Sequence, residues 1–187
     1  GHKKYYVVSD VLENFVSKAG QHIEVLKLEE FGPALFIDSE LQVAEKDEKK
    51  YSGQFVGSAL NLSKNNSSAA IIGGGDGGVA RELSSKGFDL IDWYELDPEV
   101  VKVCQKHLLK ICGDIKANNK VKTYWGDAFE SIKKVKNSKY DKIFVDLNDD
   151  QFCIDLAARN MKGLKRILKP GGVITAQVGC MSKKPRQ

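Results

Sequence analysis

Five short apolar runs, separated by stretches long enough for a helix, constrain this chain more than any other feature. They occupy residues 69–72, 90–94, 121–125, 143–145 and 173–178. The intervals carry helix periodicity and helix-end signals. Residues 79–86 read as a helix closed by Gly87 at the C′ position. Asp97-Pro98 opens the next helix, with Asp as N-cap and Pro at the first helical position. Its apolar side (Val100, Val101, Val103, Cys104, Leu108, Ile111) recurs at helical spacing. Residues 129–135 and 154–168 supply two more helices, the last stopped by Pro170-Gly171-Gly172. Strands alternating with helices imply βαβ units and a parallel sheet, so the fold class is α/β.

Before residue 54 the rhythm differs. Residues 22–45 alternate apolar and polar at period two, with Ile23, Val25 and Leu28, then Ala34 and Phe36, then Leu41 and Val43. Gly32-Pro33 and Asp38-Ser39 carry turn chemistry between these runs. Residues 1–53 are therefore expected to form a small N-terminal antiparallel β unit, and residues 54–187 the α/β domain. Gly1-His2 reads as the remnant of an expression tag, so His2 receives no role.

Ligands of parallel sheets bind outside the carboxyl ends of the strands. Those ends carry the glycine-rich GGGDGG turn, Glu95, Asp127 and Asp146. Crowding carboxylates on one rim is costly, because like charges raise each other's pKa. A glycine turn opens backbone N–H groups at a helix start to a ligand. Asp76 inside that turn would repel a pyrophosphate and attract an ammonium or sulfonium. Glu95 stands where acidic residues bind ribose hydroxyls, and Asp127 could accept from an exocyclic adenine amine. The ligand so described is a nucleoside with positive charge and no phosphate. Each residue also has a plainer reading: Asp76 and Asp127 as helix caps, Glu95 as a turn residue.

Composition narrows the classes. Hydrophobic residues make up 42% and charged residues 29% of 187, and no apolar stretch reaches the ~20 residues of a membrane span. There is no signal-peptide pattern at the start. The net charge of +4 comes from lysines spread along the chain, so no nucleic-acid partner is expected. Cys104, Cys112, Cys153 and Cys180 form no CxxC pair, and with His22 and His107 they make no zinc spacing, so no metal is expected. Cys104 reads as a small buried hydrophobe in a reducing compartment, which points to the cytoplasm.

The segments IIGGGDGGVARELSSKG, WYELDPEVVKVCQKHL, YWGDAFE and YDKIFVDLND, in that order, resemble the successive motifs of the polyamine aminopropyltransferases, the spermidine and spermine synthases. CQKHLLKICGDIKANN and TAQVGC resemble spermine synthase most. GQHIEVLKLEEFGPALFIDSELQVAEKDEKKY resembles the family's β domain. The resemblance implies a methyltransferase-like Rossmann fold and decarboxylated S-adenosylmethionine as aminopropyl donor, a co-substrate, with no separate cofactor. It implies donor contacts from Gln21, Gly73, Gly74, Gly75 and Gly77, from Asp76 to the donor amine, from Glu95 to the ribose, and from Asp127 with Ala128 to the adenine. Tyr51 and Asp149 match acceptor positions, and Asp146 matches the general base. The family commonly forms homodimers.

Several positions depart from the pattern. Ser52-Gly53 stands where spermidine synthases have Gln-Glu, and Asp150 stands where they have proline. The chain between Asp150 and Asp155 is short for an acceptor-gating loop, and segments beyond the Q-x-G strand are absent, as in a C-terminally truncated chain. Two alternatives stay open: a methyltransferase using ordinary S-adenosylmethionine, against which Asp76 argues, and an inactive homologue that serves as a binding or dimerisation protein.

Overall fold

The computed structural model describes residues 5–148 and 150–177. The N-terminal strands β1 (Val8–Val16), β2 (His22–Leu28), β3 (Gly32–Ile37) and β4 (Glu40–Ala44) form an antiparallel meander in sequence order. Asp38 and Ser39 both take positive φ (51° and 66°), as the tight turn between β3 and β4 requires. Gly32-Pro33, expected as a turn, instead opens β3, where Pro33 lies opposite Lys27. Strand β1 escaped the sequence reading, because this edge strand is largely exposed and lacks a buried alternate face.

The second sheet is parallel. Strands β5 (Ser68–Gly73), β6 (Leu90–Glu95), β7 (Val121–Trp125), β8 (Tyr140–Asp146) and β9 (Leu168–Ala176) lie in the order β7-β6-β5-β8-β9. The α/β expectation holds. Helices α2 (Gly78–Ser85), α3 (Pro98–His107), α4 (Leu109–Cys112), α5 (Ala128–Lys133) and α6 (Gln151–Ile167) connect these strands. Asp97 caps α3 by accepting the Glu99 N–H (2.9 Å) with Pro98 at the first position, and Gly87 takes φ 81° after α2. The apolar stripe expected as one helix breaks at Leu108 into α3 and α4.

Period-two alternation in the central strands feeds two cores. Ala69 and Ile71 face one layer, with Val79, Leu83 and Phe88. Ala70 and Ile72 face the other, with Phe129, Ile132, Leu164 and Ile167. The N-terminal sheet packs Ile23, Val25, Leu35 and Val43 on Val100, Val103, Leu108 and Ile111 of α3 and α4. Helix α1 (Glu45–Leu62) joins the two sheets and lies in the α2 layer through Val56 and Ala59. It runs continuously through residue 53, where the sequence suggested a boundary. Among the described residues no helix is long and apolar enough to cross a membrane.

Candidate active site

The strand order reverses between β5 and β8. Strand β5 is followed in the chain by β6 on one side, while β8 flanks it on the other. Such a switch point opens a crevice at the carboxyl ends, and the expected residues converge there. The loop from Gly73 to Gly77 passes between Asp146 and Glu95. Gly73 has φ 81°, and a Cβ there would strike the Asp146 carbonyl oxygen, whose hydrogen bond from Gly74 N–H (2.8 Å) pins the loop to β8. A Cβ on Gly75 would lie 2.8 Å from Val100 Cγ1 and 3.2 Å from Glu95 Oε2. Only glycine lets the backbone run this close to both strand ends. Trp93 Nε1 donates to the Gly73 carbonyl (2.7 Å) and supports the loop from beneath.

The rim is acidic. Glu95 is 7% exposed, and Oε1 accepts the Asp97 N–H (2.9 Å). Burial raises its pKa to about 7, with the Asp97 and Asp76 carboxylates adding to the rise. Asp97 is buried too, and its Oδ2 has no partner among the described residues. Asp76 is half-buried, and Oδ1 accepts the Gly78 N–H (2.6 Å). Enclosure by the protein pushes its pKa up to about 6, with nearby Glu48 contributing. The N-cap of α2 is Gly77, so Asp76 accepts a backbone N–H at the start of the helix from one position ahead of the cap.

Asp127 also caps a helix. Its Oδ1 accepts from Phe129 N–H (2.8 Å) and Glu130 N–H (3.2 Å), and Ala128 opens α5. The preceding Gly126 N–H donates to the Glu95 carbonyl (2.9 Å), which sets Asp127 beside the Glu95 end of β6. Tyr51, from α1, brings its hydroxyl to 2.9 Å from Asp146 Oδ1 and 2.6 Å from Gln177 Oε1. Gln177 is held at the rim by its own N–H to the Val145 carbonyl (2.8 Å). The sequence reading did not single out Gln177 as a site residue, although the Q-x-G strand end was its signal. Gln21 closes the β1–β2 turn by accepting the Ser17 N–H (2.9 Å). That turn is tied to the first turn of α3 through Lys18 N–H and Glu99 Oε2 (2.7 Å), and among the described residues Gln21 makes no hydrogen bond to the glycine loop. Asp149 lies outside the described residues. Asp150 is the N-cap of α6, accepting the Cys153 N–H at 2.7 Å.

Comparisons with known proteins bear on the family and the fold. A model of the spermine/spermidine synthase domain matches residues 48–186. The chain belongs to the spermine/spermidine synthase family. A polyamine aminopropyltransferase of Prochlorococcus marinus (strain MIT 9312) is 35% identical over 160 residues, covering 84% of this chain and 56% of the relative. The chain thus spans a little over half the length of the curated relatives it matches. The spermidine synthase of Thermotoga maritima superposes with a TM-score of 0.83 at 24% identity, covering 91% of this chain and 58% of that one. A spermidine synthase in complex with the transition state analogue AdoDATO superposes with a TM-score of 0.82 at 23% identity, covering 91% and 57%. At those identities the two structures bear on the fold, and they agree with the parallel sheet and the N-terminal meander described above. Residue 48, where the family match begins, lies in the first turn of α1, so the helix that brings Tyr51 to Asp146 is part of the family domain.

Proposed function

We propose that the protein transfers an aminopropyl group from decarboxylated S-adenosylmethionine to a polyamine, putrescine or spermidine, and releases methylthioadenosine. One observation carries the reading: Asp76 belongs to the glycine loop, which runs past Asp146 at Gly73 and Gly74 and past Glu95 at Gly75. A phosphate-bearing ligand would meet three acidic residues there, whereas an ammonium and a sulfonium are attracted. Ordinary S-adenosylmethionine would bring its own carboxylate against Asp76, so the methyltransferase reading is disfavoured.

In this reading Glu95 accepts from the ribose hydroxyls, and Asp127 offers Oδ2 to the adenine amine while Oδ1 caps α5. Gln21 and Ala128 line the nucleoside, and Tyr51, together with Asp149, lines the acceptor. The acceptor's neutral amine attacks the methylene carbon bonded to the sulfonium. That carbon–sulfur bond breaks and its electrons remain on sulfur, leaving a neutral thioether. The new carbon–nitrogen bond leaves a surplus proton on nitrogen, which Asp146 takes as general base. The Tyr51 hydroxyl, which also lies against Gln177 Oε1, orients the Asp146 carboxylate. Because the transition state disperses a positive charge already present, positioning does most of the catalytic work.

The reading includes a homodimer in the cytoplasm, with no metal and no separate cofactor. The free edge of β1, which exposes Val8, Val11 and Val16, supports a dimer, and the buried free thiols of Cys104 and Cys112 suit a reducing compartment. Sedimentation of the purified protein tests the dimer. The activity is tested by incubating the protein with decarboxylated S-adenosylmethionine and each amine in turn. Methylthioadenosine release that depends on the amine is expected. Nucleoside binding without release would favour the inactive homologue, and tighter binding of S-adenosylmethionine than of its decarboxylated form would favour the methyltransferase.

A further inference from the structure

Beneath the glycine loop two carboxylates compete for one guanidinium. Arg81 of α2 is held in a bidentate pair by Glu48, with Nη1 2.6 Å from Oε2 and Nη2 3.1 Å from Oε1. Nη2 also donates to Glu82 Oε1 (2.8 Å), and Nη1 to the Ile111 carbonyl. The Glu48 side chain is 1% exposed, and the Arg81 side chain 19%. Asp76 shares the same small space. A Cβ on Gly78 would run into Glu48 Oε1 and would lie 2.6 Å from Ser52 Oγ and 3.0 Å from Asp76 Oδ1. Glu48 and Asp76 therefore press on one point of the backbone, and the charges of Glu48 and Arg81 act on Asp76 in opposite senses.

The choice of partner matters. Fork-shaped guanidinium groups pair strongly with carboxylates. Were Arg81 to pair with Asp76, the protein's own cation would fill the place assigned above to the donor's ammonium. Among the described residues only Gly78 N–H donates a hydrogen bond to the Asp76 side chain. We infer that Glu48 is a positioning residue whose task is to hold Arg81 away from Asp76 and so keep that carboxylate open to a cationic amine. The inference rests on the reading of Asp76 as the amine ligand. It also gives the first turn of α1, which follows directly from the N-terminal sheet, a part in donor recognition.

The test separates the amine from the rest of the ligand. Calorimetry compares the aminopropyl thioether of adenosine with its propyl counterpart, which has the same three carbons and lacks the amine. The wild-type protein should prefer the amine-bearing ligand by about tenfold, the worth of one good charge contact. In Glu48→Gln, Arg81 is released toward Asp76. The preference should then fall to about one, while affinity for the propyl thioether stays within about threefold. The double variant Glu48→Gln/Arg81→Gln removes the competing cation as well and should restore the preference to within about threefold of wild type. A merely structural role for Glu48 gives no such rescue. Retention of the preference in Glu48→Gln, or failure of the double variant to restore it, overturns the inference. If Glu48→Gln does not fold, the double variant is read alone: preference kept supports the inference, preference lost overturns it. A wild-type protein that binds both thioethers equally overturns the reading of Asp76, and the inference with it. A wild-type protein that binds neither overturns the nucleoside reading of the whole site.

Discussion

Replacing Glu95 with glutamine should make the fold more stable near pH 8 and leave it almost unchanged near pH 5. Glu95 is 7% exposed at the end of β6, and burial is the largest cause of its rise from an ordinary 4.5 to about 7. Between those two values the folded protein keeps a proton that the unfolded chain has already lost. Stability conferred by the protonated form is therefore full below 4.5 and falls as pH climbs through about 7. At ~1.4 kcal/mol per pH unit, ionised Glu95 costs the fold about 3 kcal/mol at ~pH 8. Glutamine keeps the shape and an acceptor for the Asp97 N–H, but it forfeits the charge-assisted share of that bond, about 1 kcal/mol. The net gain is about 2 kcal/mol near pH 8, or a rise in Tm of roughly 4–8 °C for a chain of this size. Scanning calorimetry of both proteins from ~pH 5 to ~pH 8 reads the difference. Asp76 titrates in both, so its contribution largely cancels. A variant no more stable than wild type near pH 8, or a gain independent of pH, would refute the claim that burial holds Glu95 up. Nucleoside affinity should fall in the same variant, because a carboxylate facing two ribose hydroxyls is lost.

Three further outcomes follow from the same geometry. Gly78→Ala, which in an ordinary helix would stabilise by up to ~1 kcal/mol, should instead cost about 2 kcal/mol in denaturant unfolding, because its Cβ runs into Glu48 and Ser52. Tyr51→Phe should shift stability by no more than ~1 kcal/mol, since Tyr51 is 37% exposed, yet slow methylthioadenosine release about tenfold by removing the hydroxyl that contacts Asp146 Oδ1. Affinity for an amine-bearing adenosine thioether should strengthen as pH rises through about 6, where Asp76 loses its proton. The propyl thioether, titrated alongside, should show no such step, and an equal step in both would count against Asp76 as the amine ligand.

The parallel sheet was legible because its signals are local and strong. Asp97-Pro98, Gly87 and the apolar runs each point to one conformation, and α3, α2 and β5 to β8 appear where those residues place them, whereas β9, expected from residue 173, already starts at Leu168 and takes Pro170-Gly171-Gly172 into the strand. Helix α1 was not legible. Its buried stripe runs Glu48, Ser52, Val56, Ala59, so half of the face turned inward is polar, and Gly53 and Gly57 dilute the pattern further. The same polarity that hid the helix gives Arg81 its partner, because the buried Glu48 pairs with that guanidinium. The rim carboxylates were legible by position alone, as the residues that end strands. The cap reading of Asp127 was legible too, whereas Asp76 accepts the Gly78 N–H one position ahead of the Gly77 N-cap, and a residue that accepts a backbone N–H looks like a ligand residue in sequence.

The cost of the acidic rim clarifies how the fold carries it. Glu95, Asp97 and Asp76 crowd the end of β6 and the loop after β5, with Asp97 Oδ2 unpartnered among the described residues and two of the three carboxyls raised in pKa. Each accepts one backbone N–H, Asp97 as the cap of α3, but these bonds leave the burial of the carboxyls uncompensated. They are held by elements whose stability comes from elsewhere: Ile71, Ile91 and Phe144 on one face of the sheet, Ile72, Ile143 and Val145 on the other. Three glycine positions let the backbone pass close to Asp146 and Glu95 with no side chain between. A ligand that brings positive charge and hydroxyl donors into this crevice supplies the partners the carboxylates lack. Binding should therefore stabilise the protein most near ~pH 8, where the unliganded rim carries its full charge and its full cost.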